Sequence, residues 1–147
     1  MTVRQKTTKE EISAYLERRI LLMKQAIIRK MMVVGEKVIN QARTSGNYKD
    51  QTGNLRSSVG YVIVSGGIII QESSFEVVEK GVVGSKSGKE FAERLARQHP
   101  KGLILIVVAG MKYAKYVSAC GYDVIDSAEL LAQKLVPKIL DELGLKK

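Results

Sequence analysis

Side chains capable of nucleophilic or metal chemistry are scarce in this chain. Its 147 residues include one histidine, His99, and one cysteine, Cys120. A hydrolase or transferase needs a nucleophile with a base, a carboxylate pair or a metal, and zinc sites need Cys and His at short spacings. The sequence contains no CxxC, HxxxH or DxD spacing. We therefore expect no catalytic centre, no metal site, no cofactor and no small-molecule substrate.

A small nuclease is the one enzymatic alternative that these residues leave open, since Asp50, Glu72 and a lysine are all present. Any basic protein supplies such a set, so it gives this alternative little support. The glycines and lysines of residues 81–89 (GVVGSKSGK) do not have the G-x-x-x-x-G-K-[ST] spacing of a phosphate-binding loop. We interpret them as part of a flexible excursion at 81–101 within a single domain, residues 1–147.

Positive charge is concentrated in the first part of the chain. The formal net charge is +9, and residues 1–58 carry 12 Lys and Arg against 5 Asp and Glu, a net of +7. Positive charge attracts phosphates through counterion release, which makes the first helix a candidate basic surface facing DNA. Its candidate residues are Arg18, Lys24, Arg29, Lys30 and Arg43. The alternatives are a solvated helix face or contact with an acidic neighbouring subunit.

The remaining composition predicts a soluble intracellular protein. Hydrophobic residues make up 45% of the chain, enough to build a core, and a single cysteine cannot form an internal disulfide. The apolar runs LILIVVAG and VGYVIV are far shorter than the roughly 20 residues of a membrane helix. No apolar run follows the charged N-terminus, so we expect neither a secretory signal nor a membrane partner.

A long amphipathic helix is predicted from Thr8 to about Thr44. Thr8 and Glu11 have the spacing of a capping box, and apolar residues recur at steps of three or four from Ile12 to Ala42. At about 1.5 Å per residue this helix is roughly 50 Å long, more than a small domain can cover. Part of its apolar stripe, notably residues 31–34, is therefore a candidate for contact with another subunit, although packing of the methionines in the chain's own core is the favoured alternative. A left-handed C-cap is predicted at residues 45–47.

The rest of the chain predicts an α+β fold with the order α-β-β-(α)-β-α. Its long N-terminal helix is followed by a mainly antiparallel sheet of three to four strands and a C-terminal helix. We predict strands at 59–64, 68–72 and 103–108, a possible continuation with Phe75 and Val77 on one face, and helices at 89–99 and from 126. The continuous apolar run at 103–108 favours a buried central strand.

The turn segment, residues 48–63 (YKDQTGNLRSSVGYVI), joins the long helix to the first strand. Asp50 and Thr52 can hydrogen-bond the backbone of their own turn, and Gly53 permits a left-handed backbone. We expect Leu55 in the core where helix meets sheet, and Arg56 at the edge, free to pair with a carboxylate or phosphate. This segment either fixes the strand register or contributes to a subunit interface.

The tyrosine segment, residues 110–121 (GMKYAKYVSACG), has the form G-x-x-Y-A-x-Y-V-x-x-x-G and ends at Gly121. Tyr113 and Tyr116 are three residues apart, the spacing of one helix face, with the small Ala114 between them. Tyrosine buries a large area and keeps a polar tip, which suits an interface rim. The alternative is core packing with the hydroxyl groups at the surface.

Taken in order, these two segments resemble those of the neck or minor tail proteins (head–tail joining, tail completion) of long-tailed bacteriophages and prophages. The resemblance covers most of the chain. It implies a structural virion-assembly protein without catalysis, located in the virion and, during assembly, in the bacterial host cytoplasm. Such subunits form homo-oligomeric rings, commonly of six, that contact other neck or tail proteins, and DNA passing through the ring is a compatible partner.

A basic nucleic-acid-binding module is the alternative function. The net charge favours it, but single-stranded nucleic acid is bound by aromatic side chains on which bases stack. The predicted strands carry only Tyr61 and Phe75 for that purpose.

Overall fold

A 37-residue helix precedes a three-stranded sheet and four shorter helices in the computed structural model, which describes residues 6–144. The elements are α1 (Lys9–Ser45), α2 (Asn54–Ser57), β1 (Val59–Ser65), β2 (Ile68–Glu72), α3 (Val82–Arg97), β3 (Leu103–Ala109), α4 (Ala114–Ala119) and α5 (Asp126–Glu142). The predicted α+β class, with a long N-terminal helix, an antiparallel sheet and a C-terminal helix, is confirmed.

The two ends of α1 are stabilised in different ways. At its N-terminus the predicted capping box forms: the Glu11 N–H donates to Thr8 Oγ1 at 3.1 Å, and the Thr8 N–H donates to the Glu11 carboxylate at 3.3 Å. At its C-terminus the predicted left-handed cap is wrong, because Gly46 is extended (φ −60°, ψ 116°). The Gly46 carbonyl instead accepts a hydrogen bond from Arg56 at 2.9 Å.

The sheet has the order β2-β1-β3, and β1 pairs antiparallel with both neighbours. The prediction that residues 103–108 form the central strand is therefore wrong: β1 is central and β3 lies at an edge. Residues 59–64 of β1 are all buried, whereas β3 is half-buried except at Val108. β3 reads as a continuous apolar run because helices cover both faces of the sheet. The edge strand β2 has only five residues, and its register with β1 is irregular between Ile63 and Val64.

Two apolar clusters lie on opposite faces of the sheet. On one face, Val59, Tyr61 and Ile63 of β1 pack with α1, and residues of β3 and α5 adjoin the cluster. On the other face, Val62 and Val64 pack with Val108, Phe75 and two alanines of α3. The sheet is thus a middle layer between the α1–α5 pair and α3. Because Tyr61 lies directly under α1, a Cβ at Gly35 would be only 2.8 Å from its ring.

Residues 73–78 do not continue the second strand, so that prediction is wrong. The Ser73 N–H donates to the Tyr61 carbonyl, and Ser73 Oγ accepts from the Tyr61 N–H, both at 2.9 Å. Phe75 then adopts a left-handed backbone (φ 42°) and is fully buried, while Val77 is exposed. The two side chains do not share a face, because the chain turns to place Phe75 under α3.

The helix predicted at 89–99 is confirmed but begins earlier, at Val82, so the first part of the excursion expected at 81–101 is helical as well. Its glycines suggested a loop, but they are sites of close backbone approach. A methyl group at Gly84 would overlap the carbonyl of Asn54, and one at Gly88 would lie 2.5 Å from the Ser58 carbonyl oxygen. Gly84 also donates its N–H to Asn54 Oδ1 at 3.0 Å. Glycine at these two positions lets α3 pack directly against the turn that precedes β1.

Replacing Gly84 with alanine should therefore lower the free energy of unfolding by roughly 1–3 kcal/mol, the usual effect of overpacking a filled site. Urea unfolding at fixed protein concentration measures this. The matched control is Val83→Ala in the same helix, whose side chain is 62% exposed and whose replacement should change little. Equal unfolding midpoints for the two variants would show that α3 is not packed this closely.

The buried phenol of Tyr61 should make the protein less stable in alkali. The pKa of Tyr61 is raised from 10.0 to about 12, first by burial and then by the charge and hydrogen bonding of the neighbouring Glu36 carboxylate. The unfolded chain releases this proton near pH 10 and the folded protein only near pH 12. The stabilisation from the neutral phenol is thus complete below pH 10 and is lost as pH rises through that interval.

Unfolding free energies measured from pH 9 to pH 12 should decline less steeply in Tyr61→Phe, which has no proton to release, than in the unaltered protein. Tyr15→Phe is the control, because Tyr15 is exposed and should leave the decline unchanged. A Tyr61→Phe profile as steep as that of the control would contradict the assignment.

Candidate interaction surface

The turn segment builds the short helix α2 through side-chain contacts to its backbone. The Asp50 carboxylate, whose side chain is 3% exposed, accepts the N–H groups of Leu55 at 3.4 Å and Arg56 at 2.9 Å. Thr52 Oγ1 accepts the Asn54 N–H at 3.4 Å. Gly53 has φ 74°, the left-handed conformation that favours glycine. These contacts hold the chain in one conformation where it turns from α1 into β1.

Arg56 lies at the end of α1. We had expected its side chain to be free to pair with a partner's carboxylate or phosphate, but it binds groups of its own chain. Its guanidinium donates to the carbonyls of Gly46 at 2.9 Å and of Arg43 and Tyr48 at 3.4 Å. It also lies 3.9 Å from the Asp50 carboxylate and 4.6 Å from the centre of the Tyr48 ring. A planar guanidinium can serve several acceptors and stack on a ring at once, so Arg56 replaces the missing left-handed cap.

The turn segment and the tyrosine segment meet in one cluster. Leu55 is fully buried and packs with Tyr48, Ala114 and Val124; it therefore lies beneath α4, beyond the junction of α1 with the sheet. Burial raises the pKa of Tyr113, and the charge of Asp50 in the turn segment raises it further. Residues some 60 positions apart in sequence thus form one structural unit.

The tyrosines themselves lie at the surface of this unit. Tyr113 immediately precedes α4 and is 41% exposed, and Tyr116 is 72% exposed. Ala114 between them is buried, whereas Gly121 follows α4 with φ 89°. Core packing therefore does not account for Tyr116. Sequence reasoning missed Tyr122, which is also exposed close to this helix.

Most of the residues of the predicted basic surface form contacts within the fold. Lys24 Nζ donates to Ser65 Oγ at 2.9 Å, and Lys30 pairs with Glu142 at 3.0 Å. The Arg43 side chain is 12% exposed. Its guanidinium donates to the Val59 carbonyl at 2.8 Å and lies 3.7 Å from the Glu76 carboxylate. Of the five candidates, only Arg18 and Arg29 are fully at the surface. Three of the five candidate residues therefore contact other groups of the fold, and a basic surface on α1 stays a prediction for Arg18 and Arg29.

We call residues 9–23, the N-terminal part of α1, the N-terminal extension. An exposed apolar stripe runs along it. Every residue of this extension is exposed. Its large apolar side chains are Ile12, Tyr15, Leu16, Ile20, Leu21, Leu22 and Met23. Residues 31–34, the candidates for subunit contact, belong mainly to the chain's own core, as the favoured alternative had it: Val34 is buried in the apolar cluster beneath α1, Met31 and Met32 pack against that cluster, and only Val33 is exposed. The sequence shows the apolar periodicity from Ile12 onward. It does not show at which residue the body of the protein stops covering the helix.

An apolar groove lies on the covered side of the same helix, between α1, β3 and α5. We call it the α1–α5 groove, and its volume is about 420 Å³. It is lined by Ile27, Met31, Val34, Leu103, Leu105, Val136, Ile139, Leu140 and Leu143. The Lys30–Glu142 pair joins α1 to the C-terminal end of α5. An apolar groove and an exposed apolar helix face are therefore both present in one chain.

Comparison of the chain with protein-family models, with curated proteins and with solved structures found no match. Within residues 6–144, no helix is long and apolar enough to cross a membrane. Across the same residues, no three His, Cys, Asp or Glu side chains form a group that could hold a metal ion.

Replacing Arg56 with lysine should lower the free energy of unfolding by roughly 2–3 kcal/mol. Lysine keeps the charge but cannot serve the carbonyls at the end of α1 together, and hydrogen bonds to charged groups contribute about 1.5–3 kcal/mol each. Urea unfolding measures the change, and Arg18→Lys in the exposed part of α1 is the matched control. If both variants unfold at the same urea concentration, Arg56 does not hold the turn segment together.

Proposed function

We propose that this chain is a structural subunit that assembles with copies of itself into a ring, and that it performs no catalysis. The observation that carries the proposal is the exposed apolar stripe of the N-terminal extension. At 100° per residue, Ile12, Leu16, Ile20 and Met23 fall on the same side of α1 as Ile27 and the core residues beyond it. The stripe thus continues the core face of the helix past the point where the chain's own body ends.

A helix face of this kind is typical of a surface that another chain covers. Monomeric proteins rarely expose contiguous apolar patches larger than a few hundred Å², and most helices in proteins are stabilised mainly by packing of their apolar face. Here the extension has its apolar residues at the spacing used by helices that bind in grooves. Burial against a neighbouring copy would cover them.

Approximate energies favour a closed ring over an isolated pair of subunits. Full burial of one large apolar side chain contributes about 1.5–3 kcal/mol, so four such residues contribute roughly 6–12 kcal/mol. Association costs about 4–15 kcal/mol in lost freedom, so one such contact gives little net affinity. A closed ring of n subunits contains n contacts but forms in n − 1 association steps. The last contact, which closes the ring, therefore forms without a further association cost.

We further propose that the ring belongs to the neck or tail of a phage or prophage virion, where it joins or completes the tail. This part of the proposal is supported by the resemblance of the turn segment and the tyrosine segment, which lie together around Leu55 and Ala114. The exposed Tyr113 and Tyr116 are suited to contact a neighbouring neck or tail protein, because tyrosines are enriched in interfaces. Assembly would take place in the bacterial host cytoplasm before incorporation into the virion.

Nucleic-acid binding is the second candidate, and it has one specific observation in its favour. Arg18 and Arg29 are exposed on the side of α1 opposite the apolar stripe, where subunit contacts through the stripe would leave them accessible. In a ring they could face DNA in the channel. Glu11 shares that side of the helix, which reduces the local positive charge.

Light-scattering mass after size exclusion, at low and high protein concentration, should give a closed assembly of about six subunits. The same measurement with duplex DNA, at low and high salt, tests the second candidate. A monomer at every concentration would contradict the ring. A monomer that gains mass only with DNA, and loses it in high salt, would establish nucleic-acid binding in its place, because phosphate contacts weaken steeply with salt.

A further inference from the structure

The α1–α5 groove is an apolar site that remains open beside the covered half of α1. One wall of the groove is α1, its floor is β3, and the other wall is the C-terminal half of α5. Of its lining residues, Val136 and Leu140 belong to the large apolar side chains that remain exposed. The groove is therefore accessible along the α5 side and lacks an apolar partner in the described part of the chain.

The N-terminal extension cannot fill the groove of its own chain. Residues 9–45 form one continuous helix, and Ile27 of that helix already lines the groove. Leu16 lies eleven residues before Ile27, about 16 Å away along the axis. Folding the extension back would require α1 to break, so any extension that enters the groove must come from another molecule.

We infer that the N-terminal extension of one copy of this chain binds in the α1–α5 groove of the next copy. This inference rests on the proposed self-assembly and specifies the surfaces through which it occurs. Ile12, Leu16, Ile20 and Met23 are the anchors, a helix-in-groove mode of recognition. The contact is heterologous: each copy donates its extension to one neighbour and receives an extension from the other. Repetition of such a contact generates a ring when the rotation closes.

The charge at the end of the groove selects between orientations of the extension. On the extension, Arg19 lies along one side of the apolar stripe and Glu17 along the other, at 100° per residue, and both are exposed. At the end of the groove Glu142 is paired with Lys30, and the C-terminal end of α5 carries a partial negative charge. An extension that places Arg19 at this end of the groove is therefore favoured over one that places Glu17 there.

Disulfide trapping between copies tests this arrangement directly. In a Cys120→Ser background, one set of variants carries Leu16→Cys, Ile20→Cys or Met23→Cys, and a second set carries Val136→Cys or Leu140→Cys. Under mild oxidation, a mixture of the two sets should form cross-linked dimers for at least one pairing, whereas each variant alone should form none. Cross-linking of an extension variant with itself would show that two extensions pair with each other, and would overturn the inference.

Charge substitution separates this inference from the proposed self-assembly. Leu16→Asp should weaken assembly by about tenfold or more, because a carboxylate would be buried in an apolar groove. Gln25→Asp, on an exposed position of the same helix away from the stripe, should assemble normally, and both should unfold as the unaltered chain does. If the unaltered protein is monomeric, the proposed function fails. If it assembles and Leu16→Asp assembles equally well, the ring stands and the docking of the extension is wrong.

Discussion

The length of α1 is the constraint on which the rest of the structure depends. Its 37 residues extend about 55 Å at the usual rise per residue, whereas α5, which packs beside it, has only 17. The C-terminal part of α1 supplies Val34, Val38, Ile39 and Ala42 to the larger apolar cluster. The N-terminal part is left without cover. One helix thus forms the scaffold of the core and, through the same face, the main exposed apolar surface.

The remainder of the fold is held by unusually close backbone contacts around the start of β1. Gly84 and Gly88 bring α3 onto the backbone of Asn54 and Ser58, and Arg56 gathers the carbonyls that follow α1. These contacts are polar or steric and do not depend on large apolar side chains. Beside them, an apolar cluster packs around the turn from helix to strand; its buried members are Tyr48, Leu55, Ala114 and Val124.

Local patterns in the sequence were sufficient for α1, the β-hairpin and α5, because a capping box, apolar periodicity and a Gly-Gly turn act over a few residues. Features set by distant contacts could not be predicted in this way. The glycines of α3 resemble a loop unless Asn54 is known to lie against them. Arg56 and Lys24 resemble free surface charges until their acceptors, Gly46 and Ser65, are in place. Of the candidate surface, sequence reasoning identified the tyrosines and the apolar periodicity of α1, but not the stretch of α1 in which the apolar face is exposed.

The irregular register opposite β2 has a consequence for how copies of this chain can meet. An edge strand with free N–H and carbonyl groups is a template for strand addition and for fibrous stacking. Here that edge is only five residues long, and the irregularity between Ile63 and Val64 twists it locally. A strand from another molecule would find few consecutive backbone partners. Strand addition at the β2 edge is thereby disfavoured, and copies that meet on that side of the sheet are directed toward contacts between helices, which have a defined geometry and can close on themselves.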